Sequence, residues 1–267
     1  MAPDAGAAAS LDVRTVRETA VPGASAPLFE HPDWRAAFPW LIQGTTGRGE
    51  GEPFDLGWFG AVPAATAQTR WRQLRQATGC RTAVHARQVH AATVLRHSGL
   101  APGMLLADDA DGHVTRDPSI LLTVSVADCV PVFLVDPEER VVALLHAGWR
   151  GVAADILEAG LRALLSTTGG EPAGLYMHLG PAICGRCYEV GPEVHDALGL
   201  PAPAGREPVD LRRILAARAI AAGLDPERIT VSEHCTRCGD GSFFSHRGGA
   251  RERQMAFLAI REPRPNP

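Results

Sequence analysis

The stretch from Ile120 to Gly151 constrains the fold more than any other part of the chain. Two apolar runs of strand length, Ile120 to Val126 and Val130 to Val135, follow each other with only a short break. Runs of this kind favour buried β-strands. The polar segment after them predicts a turn into a third strand, Val141 to Leu145. These residues therefore predict neighbouring strands in a buried sheet.

Helices alternate with further strands along the rest of the chain. Apolar residues recur at helical spacing after Gly151, and Asp210 is placed to cap a second helix at its N-terminus. This alternation, without internal repeats, predicts mixed sheets covered by helices. The predicted elements are helices over about Val152–Leu165, Leu211–Ala222 and Arg251–Met255, and strands over Leu175–Leu179, Ile229–Ser232 and Ala256–Ile260.

The length of 267 residues suits one large domain, because nothing in the middle of the chain resembles a linker. We predict a single domain over residues 29–262, with a loose arm over 1–28 and a frayed, proline-rich tail over 263–267. The first residues lack the continuous apolar core of a secretory signal peptide. No segment approaches the roughly 20 apolar residues that cross a bilayer. We therefore expect a cytoplasmic protein.

Composition excludes several classes of partner. The formal net charge is only -4 and 45% of the residues are hydrophobic. This composition does not predict a basic surface that would bind nucleic acid or an anionic membrane. All 26 basic residues are arginine, a bias that weakens any argument from a single arginine. Partners are therefore expected to be small molecules, with no nucleic acid and no membrane among them.

One cysteine and two histidines are placed to form a metal site. Cys129 lies at the junction of two predicted strands, His146 follows the third, and His90 supplies a second imidazole. If the three converge, one thiolate and two imidazoles suit a zinc ion with an open fourth position, which lowers the pKa of a bound water towards about 7. Copper is the chemical alternative on the same ligands.

Other residues near these ligands are candidates for supporting roles. Asp128, beside the thiolate, is either a general base or a residue that hydrogen-bonds the backbone. The loop from Gly148 to Gly151 opens a predicted helix, and its amides form a candidate anion site together with Arg150. A histidine on an apolar strand, such as His178, is expected to be structural. The secondary candidates are His85, His113, His178 and His246.

Simpler interpretations apply to each residue taken alone. A cysteine between apolar strands is most often a small buried hydrophobe, and a lone histidine after a strand is usually structural. Trp149 can simply cover the core, and Arg150 can pair with a carboxylate on the next helix. The metal interpretation therefore depends on the wider pattern of motifs.

Seven motifs occur along the chain in one order: Gln88-Val89-His90, Ala127-Asp128-Cys129-Val130-Pro131, His146-Ala147-Gly148-Trp149-Arg150-Gly151, Gly180-Pro181-Ala182-Ile183, Tyr188-Glu189-Val190-Gly191, Cys235-Thr236, and Phe243-Phe244-Ser245 followed by Arg247. Together they resemble the YfiH/laccase-domain family, labelled polyphenol oxidase in older usage and later purine nucleoside phosphorylase or peptidoglycan editing factor. The resemblance runs from about Gly44 to Ile260, nearly the whole chain.

This resemblance implies an α+β fold, a four-layer α/β/β/α sandwich of mixed sheets related to the catalytic domain of cytotoxic necrotizing factors. It implies zinc on the family's His, Cys and His, which here are His90, Cys129 and His146. The implied activity is phosphorolysis of adenosine, inosine, guanosine and methylthioadenosine, together with deamination of adenosine. Zinc chemistry fits deamination at C6 of the purine directly.

The implied partners are purine nucleosides and phosphate, bound by a monomer or a homodimer. Because arginine binds phosphate in a bidentate manner, Arg150 or Arg247 is expected to hold the phosphate. The expected catalytic residues are Cys129, His146, Asp128 and Arg150, and the expected substrate contacts are Gln88, Trp149 and Arg247.

Some residues depart from the family pattern. Arg247 is followed by two glycines where a second arginine and an acidic residue are usual, and Asp55 stands where Phe-Asn-Leu-Gly is common. The pairs Cys184-Gly-Arg-Cys187 and Cys235-Thr-Arg-Cys238 match a four-cysteine structural zinc site. The family often has cysteines near two of these positions, which favours free thiols. Both interpretations stay open.

Three rival functions remain beside the implied one. A cysteine hydrolase or amidase acting on peptidoglycan precursors would use Cys129 as nucleophile and His146 as base, and its activity would survive chelation. A multicopper polyphenol oxidase needs about ten histidines, largely in His-x-His pairs. This chain has ten histidines in total and no such pair, which excludes the trinuclear copper site and leaves only a single copper on two His and one Cys. A non-catalytic binding protein would leave the His, Cys and His without a role.

Overall fold

The computed structural model describes residues 13–58 and 62–262, which form two seven-stranded sheets and a two-stranded ribbon. No helix in these ranges is long and apolar enough to cross a membrane. In chain order the strands are β1 Arg14–Val16, β2 Thr19–Ala20, β3 Leu28–Glu30, β4 Leu41–Thr46, β5 Thr82–Ala86, β6 Val94–His97, β7 Gly103–Ala107, β8 Gly112–Thr115, β9 Ile120–Val126, β10 Val130–Asp136, β11 Val141–Ala147, β12 Tyr176–Leu179, β13 Glu189–Val190, β14 Glu207–Pro208, β15 Ile229–Ser232 and β16 Gln254–Ile260. The helices are α1 Pro32–Ala37, α2 Ala64–Thr78, α3 Trp149–Ala153, α4 Ile156–Thr168, α5 Pro192–Ala197 and α6 Leu211–Ala221, with 3₁₀ turns at Pro172–Gly174, Gly185–Cys187 and Pro226–Arg228.

The two large sheets pack face to face, and helices cover their outer faces. The first sheet has the order β1-β15-β12-β10-β11-β8-β6, and the second has the order β2-β3-β4-β16-β9-β5-β7. Both sheets contain parallel and antiparallel pairs. Helices α3 to α6 pack on the first sheet and α2 packs on the second. This is the four-layer sandwich of mixed sheets that the resemblance implied.

Side chains of the central strands alternate between two buried layers. In β10, Val132 packs against the helices while Phe133 packs between the two sheets. In β16, Leu258 lies between the sheets while Phe257 packs towards α2. Because both faces of these strands are buried, their sequences are continuously apolar. The predicted strands at Ile120, Val130 and Val141 are confirmed for this reason.

The helix predicted from about Val152 to Leu165 is two helices in the structure. Asp155 separates α3 from α4 with a left-handed φ of 59°. The Arg218 guanidinium donates to the Asp155 carboxylate at 2.8 Å and also to the Val152 carbonyl, which satisfies polar groups at the break. Apolar spacing could not reveal this interruption, because both halves bury apolar residues in the same core.

The short helix predicted over Arg251 to Met255 is wrong. Residues 251–253 belong to no helix or strand, and β16 already begins at Gln254. The backbone N–H of Arg253 donates to Asp55 at 3.3 Å. The Gln254 side chain accepts from the N–H of Phe244 at 2.7 Å and donates to its carbonyl at 3.1 Å. These long-range bonds replace the local bonds of a helix.

Residues 13–28 are anchored to the sheets, although a loose arm was predicted there. Strand β1 pairs in parallel with β15. Glu18 is buried and accepts a hydrogen bond from Ser232 Oγ at 2.7 Å, and its carboxylate lies 2.8 Å from His178 Nε2. The prediction of a loose arm is therefore corrected for residues 13–28. Its first part, residues 1–12, and the predicted tail over 263–267 lie outside the described residues.

Candidate metal centre and active site

His90, Cys129 and His146 converge at one end of the paired sheets. Cys129 directly precedes β10 and His146 lies in β11, its antiparallel neighbour. His90 reaches the same point from the loop after β5. The three ligand atoms lie within 4.8 Å of one another, and the two imidazole rings meet edge to face with centroids 4.8 Å apart. The convergence predicted from the sequence is confirmed.

The local backbone is built around these three side chains. His90 has a φ of 59° and Asp128 a φ of 87°, both in the left-handed region that residues other than glycine seldom adopt. Gly148 leaves room for the ligands, because a Cβ there would lie 2.8 Å from His90 Cδ2 and 3.0 Å from Cys129 Sγ. Backbone strain of this kind clusters at functional sites.

Asp111 organises the centre and was not among the predicted site residues. Its side chain is fully buried, and its Oδ1 lies 2.8 Å from Nδ1 of His146. The same carboxylate accepts the backbone N–H groups of Val89, His90 and Ala91 at 3.2, 3.0 and 2.8 Å. One carboxylate therefore positions two of the three ligands. With Nδ1 bonded to it, His146 keeps Nε2 for a metal or for the thiol.

Charges within the centre shift the pKa values of its members. Burial raises the pKa of the Cys129 thiol, but the neighbouring His146 and His90 outweigh burial and bring the pKa down to about 6. Burial lowers the pKa of His146, but Cys129 and Asp111 outweigh burial and bring the pKa up to about 9. Without a metal, the pair is therefore a thiolate and an imidazolium near neutral pH. Thiolate is the form in which cysteine binds metals and attacks carbon.

A cavity of about 430 Å³ opens onto the three ligands. This volume lies within the usual range of small-molecule sites. Most side chains on its wall are polar or charged, but polar and apolar surface contribute to it in comparable amounts. Beyond the ligands, the wall includes Asp55, Trp58, His85, Arg87, Gln88, Ser125, His246, Arg251 and Arg253.

Gln88 lines this cavity, whereas Asp128 does not. The Gln88 amide donates to the Ser125 carbonyl at 2.8 Å and accepts from the Ser125 N–H at 2.6 Å, so it is held firmly against the end of β9. The Asp128 carboxylate accepts from the Thr236 hydroxyl and from the backbone N–H of Arg247, both at 2.6 Å. Of the two roles considered for Asp128, its geometry matches the hydrogen-bonding one.

Arg150 and Arg247 lie outside the cavity wall. The Arg150 guanidinium stacks over the Trp149 ring at 4.2 Å from its centroid. The Arg247 guanidinium lies 5.2 Å from the centroid of the Tyr188 ring and donates to the Glu189 carbonyl at 2.8 Å. Both guanidinium groups, and Trp149, are therefore engaged away from the cavity, and other arginines line it.

The secondary histidines divide into two groups. His85 and His246 line the cavity. Burial lowers the pKa of His85 to about 4, so its imidazole is neutral near pH 7. His113 is buried with its Nδ1 2.9 Å from Nε2 of His97. His178 lies on the face of its sheet opposite α4, where its Nε2 is 2.8 Å from the buried carboxylate of Glu18. This agrees with the structural role expected for it.

We expect iodoacetamide to alkylate Cys129 of the metal-free protein with an apparent pKa of about 6. The thiolate forms as the pH rises through this value, so the alkylation rate should rise and then level off near neutral pH. Cys80 is the internal control, because burial raises the pKa of its thiol to about 11. Peptide mapping by mass spectrometry follows both residues. An alkylation rate of Cys129 that rises only at the usual cysteine pKa of about 8.5 would contradict the ion pair between Cys129 and His146.

Known proteins are similar to this chain over most of its length. The family model described as multi-copper polyphenol oxidoreductase laccase matches residues 48–261. Purine nucleoside phosphorylase YlmD of Geobacillus stearothermophilus is 35% identical over 196 residues, which cover 66% of this chain and 71% of that protein. Adenosine deaminase RL5, from an unknown prokaryotic organism, is 35% identical over 184 residues, covering 65% and 68%. The crystal structure of the hypothetical protein YfiH from Bacillus licheniformis superposes with a TM-score of 0.82 at 24% identity, covering 91% of this chain and 99% of that one.

Proposed function

The chain belongs to the YfiH family of laccase-domain proteins, and from this premise we propose that it is a metal-dependent purine nucleoside phosphorylase that also cleaves methylthioadenosine and deaminates adenosine. Relatives at similar identity carry the phosphorylase and the deaminase names. The observation that carries the proposal is the convergence of His90, Cys129 and His146, with Asp111 behind them, at the wall of a cavity of about 430 Å³.

We propose zinc as the metal on His90, Cys129 and His146. The donor set fits zinc, because one thiolate and two imidazoles lie within reach of a single ion and Asp111 orients one of the imidazoles. When bound with an open fourth position, zinc supplies a Lewis acid and lowers the pKa of water towards about 7. Copper accepts the same ligands and is the alternative metal.

The two reactions make different demands on the cavity wall. In deamination, water adds at C6 of the purine, a ring nitrogen gains a proton, and ammonia leaves. In phosphorolysis, a phosphate oxygen bonds to C1 of the ribose while the bond from C1 to the purine nitrogen breaks. Both reactions need a proton donor near the purine. We assign this role to His246, an exposed imidazole on the cavity wall. His85 on the same wall is neutral near pH 7, and its Nδ1 lies 3.2 Å from the Thr123 hydroxyl.

Arg251 is our proposed phosphate ligand. It lines the cavity, and within the described part of the chain its guanidinium has no ion-pair partner. The neighbouring Arg253 donates to three backbone carbonyls, and Arg87 forms two bonds of 2.6 Å with Asp109. A guanidinium with free donors can bind phosphate in a bidentate manner. Arg251 is therefore better placed for phosphate than the other arginines on the wall.

Replacing Arg251 with alanine should raise the phosphate KM about tenfold to a hundredfold, the usual range for a lost hydrogen bond to a charged group. Deamination of adenosine should change less, since it needs no phosphate. Arg162→Ala, at an exposed arginine on α4, is the matched control, and Arg150→Ala tests one of the two arginines expected from the sequence. An unchanged phosphate KM in Arg251→Ala would remove this role from Arg251.

A cysteine hydrolase acting on peptidoglycan precursors is the second candidate, and one observation favours it. Asp111 bonds Nδ1 of His146, and His146 pairs with a Cys129 thiol whose pKa is about 6. This order of carboxylate, imidazole and thiolate is that of an activated cysteine nucleophile. Cys129, His146 and Asp111 would carry out this reaction, which would need no metal.

Product analysis with adenosine tests the proposed function. With phosphate, we expect adenine and ribose 1-phosphate; without phosphate, we expect inosine and ammonia. Chromatography of the nucleosides and bases separates these outcomes in one experiment. The absence of all of these products with the zinc-loaded protein, together with release of an amine from a peptidoglycan precursor, would replace this function with the hydrolase.

A further inference from the structure

Four cysteines outside the candidate active site meet at a single point, which we call the four-cysteine cluster. Cys184 and Cys187 bracket the 3₁₀ turn that follows β12, and Cys235 and Cys238 lie in the loop after β15. Strands β12 and β15 are parallel neighbours, so both loops leave the sheet at the same edge. A bridge between Ala182 and Cys235 extends this pairing into the loops. The fold thus joins two Cys-x-x-Cys motifs that are distant in sequence.

The sulfur positions fit a metal ion better than disulfides. All four Sγ atoms lie within 4.8 Å of one another, and those of Cys184 and Cys238 are 3.8 Å apart. Zinc with Zn–S bonds of about 2.3 Å holds its sulfur ligands about 3.8 Å apart at tetrahedral angles. A disulfide needs a separation of about 2.05 Å, and all four cysteines are free.

Backbone donors stabilise a thiolate at one member of the four-cysteine cluster, Cys235. The Sγ of Cys235 accepts the backbone N–H of Cys184 at 3.3 Å and that of Cys238 at 3.4 Å, so each motif contributes one donor. Arg186 and Arg237 stand between the paired cysteines, and Arg237 also donates to a backbone carbonyl of the opposite motif at 3.0 Å. Zinc with four thiolates carries a net negative charge, which two guanidinium groups can balance.

We propose that Cys184, Cys187, Cys235 and Cys238 bind one zinc ion in a closed structural site. Four thiolates leave no open position on the ion, in contrast to the centre at His90, Cys129 and His146. The site therefore contributes to folding and takes no part in the chemistry of the cavity.

The proposed ion supports the turn that carries Cys129. The Asp128 carbonyl accepts the N–H of Ile183 at 3.1 Å, and its carboxylate accepts the Thr236 hydroxyl at 2.6 Å. Ile183 and Thr236 are each adjacent in sequence to a cysteine of the four-cysteine cluster. An ion that fixes both motifs therefore also fixes Asp128 in its left-handed conformation, next to Cys129.

Zinc stoichiometry of the purified protein tests the site. Cys238→Ser replaces an exposed ligand, and we expect it to contain one zinc ion per chain fewer than the wild type. Cys80→Ala, at a buried cysteine in the core beneath α2, is the matched control and should retain the wild-type content. Wild-type zinc content in Cys238→Ser would overturn the proposal.

A second measurement covers the case in which Cys238→Ser does not fold. X-ray absorption at the zinc edge of Cys129→Ala, which lacks the other centre, should show four sulfur ligands at about 2.3 Å and no nitrogen ligand. This variant also separates the inference from the proposed function. A nitrogen shell, iron in place of zinc, no bound metal, or disulfides within the cluster in the non-reduced protein would each overturn the site.

Discussion

Replacing Cys129 with alanine should abolish zinc binding at His90, Cys129 and His146 and lower both phosphorolysis and deamination of adenosine by about 10³-fold or more. The thiolate is the one negatively charged ligand of the centre, and the two imidazoles that remain hold zinc weakly. A catalytic metal contributes several kcal/mol of transition-state stabilisation, and about 1.4 kcal/mol corresponds to each factor of ten. Zinc content and initial rates on the same samples measure the effect.

The control for Cys129→Ala is Cys80→Ala, which also removes a buried thiol but lies in the core beneath α2. Its zinc content and turnover should match the wild type, because Cys80 contacts neither the cavity nor a ligand. If Cys129→Ala kept its full complement of zinc and its turnover, the centre would not be catalytic.

Replacing Asp111 with asparagine should lower the zinc affinity of the centre at His90, Cys129 and His146 about tenfold to a hundredfold. Turnover measured at limiting zinc should fall as a result. Asparagine keeps the shape of the side chain but loses its charge and half of its acceptor capacity, while His146 and three backbone N–H groups all require acceptors. Competition with a chromophoric chelator gives the affinity. Because Asp111 does not touch the cavity, excess zinc should restore much of the rate.

Asp108→Asn is the matched control for Asp111→Asn, because Asp108 is an exposed carboxylate three residues away in the same loop. It should leave zinc affinity unchanged. Equal zinc affinities for the wild type and Asp111→Asn would show that Asp111 only supports the loop. A loss that excess zinc cannot repair, accompanied by a lower unfolding midpoint, would point to the same purely structural role.

The central strands were predictable because burial on both faces leaves a direct mark on the sequence. Ile120 to Val126 and Val130 to Val135 are continuously apolar, and the structure places them between two buried layers. Cys129 and His146 interrupt this apolar pattern at strand ends, which is why they were recognisable as site residues. The four-layer arrangement was implied by the family resemblance, and the strand order within each sheet was not predicted, since apolar runs do not specify their neighbours.

Residues whose role depends on long-range contacts could not be predicted. Asp111 lies in Asp109-Ala110-Asp111-Gly112, which has the composition of a solvent-exposed turn, yet its carboxylate is buried against His146. Arg251 was assigned to a predicted helix because nothing local shows that its neighbours Arg253 and Gln254 bond to Asp55 and Phe244 instead. Arg150 was a candidate for phosphate because it lies in the Gly148 to Gly151 loop that opens a predicted helix, but its guanidinium stacks over the Trp149 ring and does not line the cavity.

A catalytic metal at His90, Cys129 and His146 is tested most directly by titrating the protein with a strong chelator and measuring zinc content and adenosine turnover, with and without phosphate, on each sample. We predict that both activities fall in proportion to the zinc lost from His90, Cys129 and His146, and that stoichiometric zinc restores them. Turnover that persists after this centre has lost its metal would contradict a catalytic role for the metal and assign the reaction to the Cys129 thiolate.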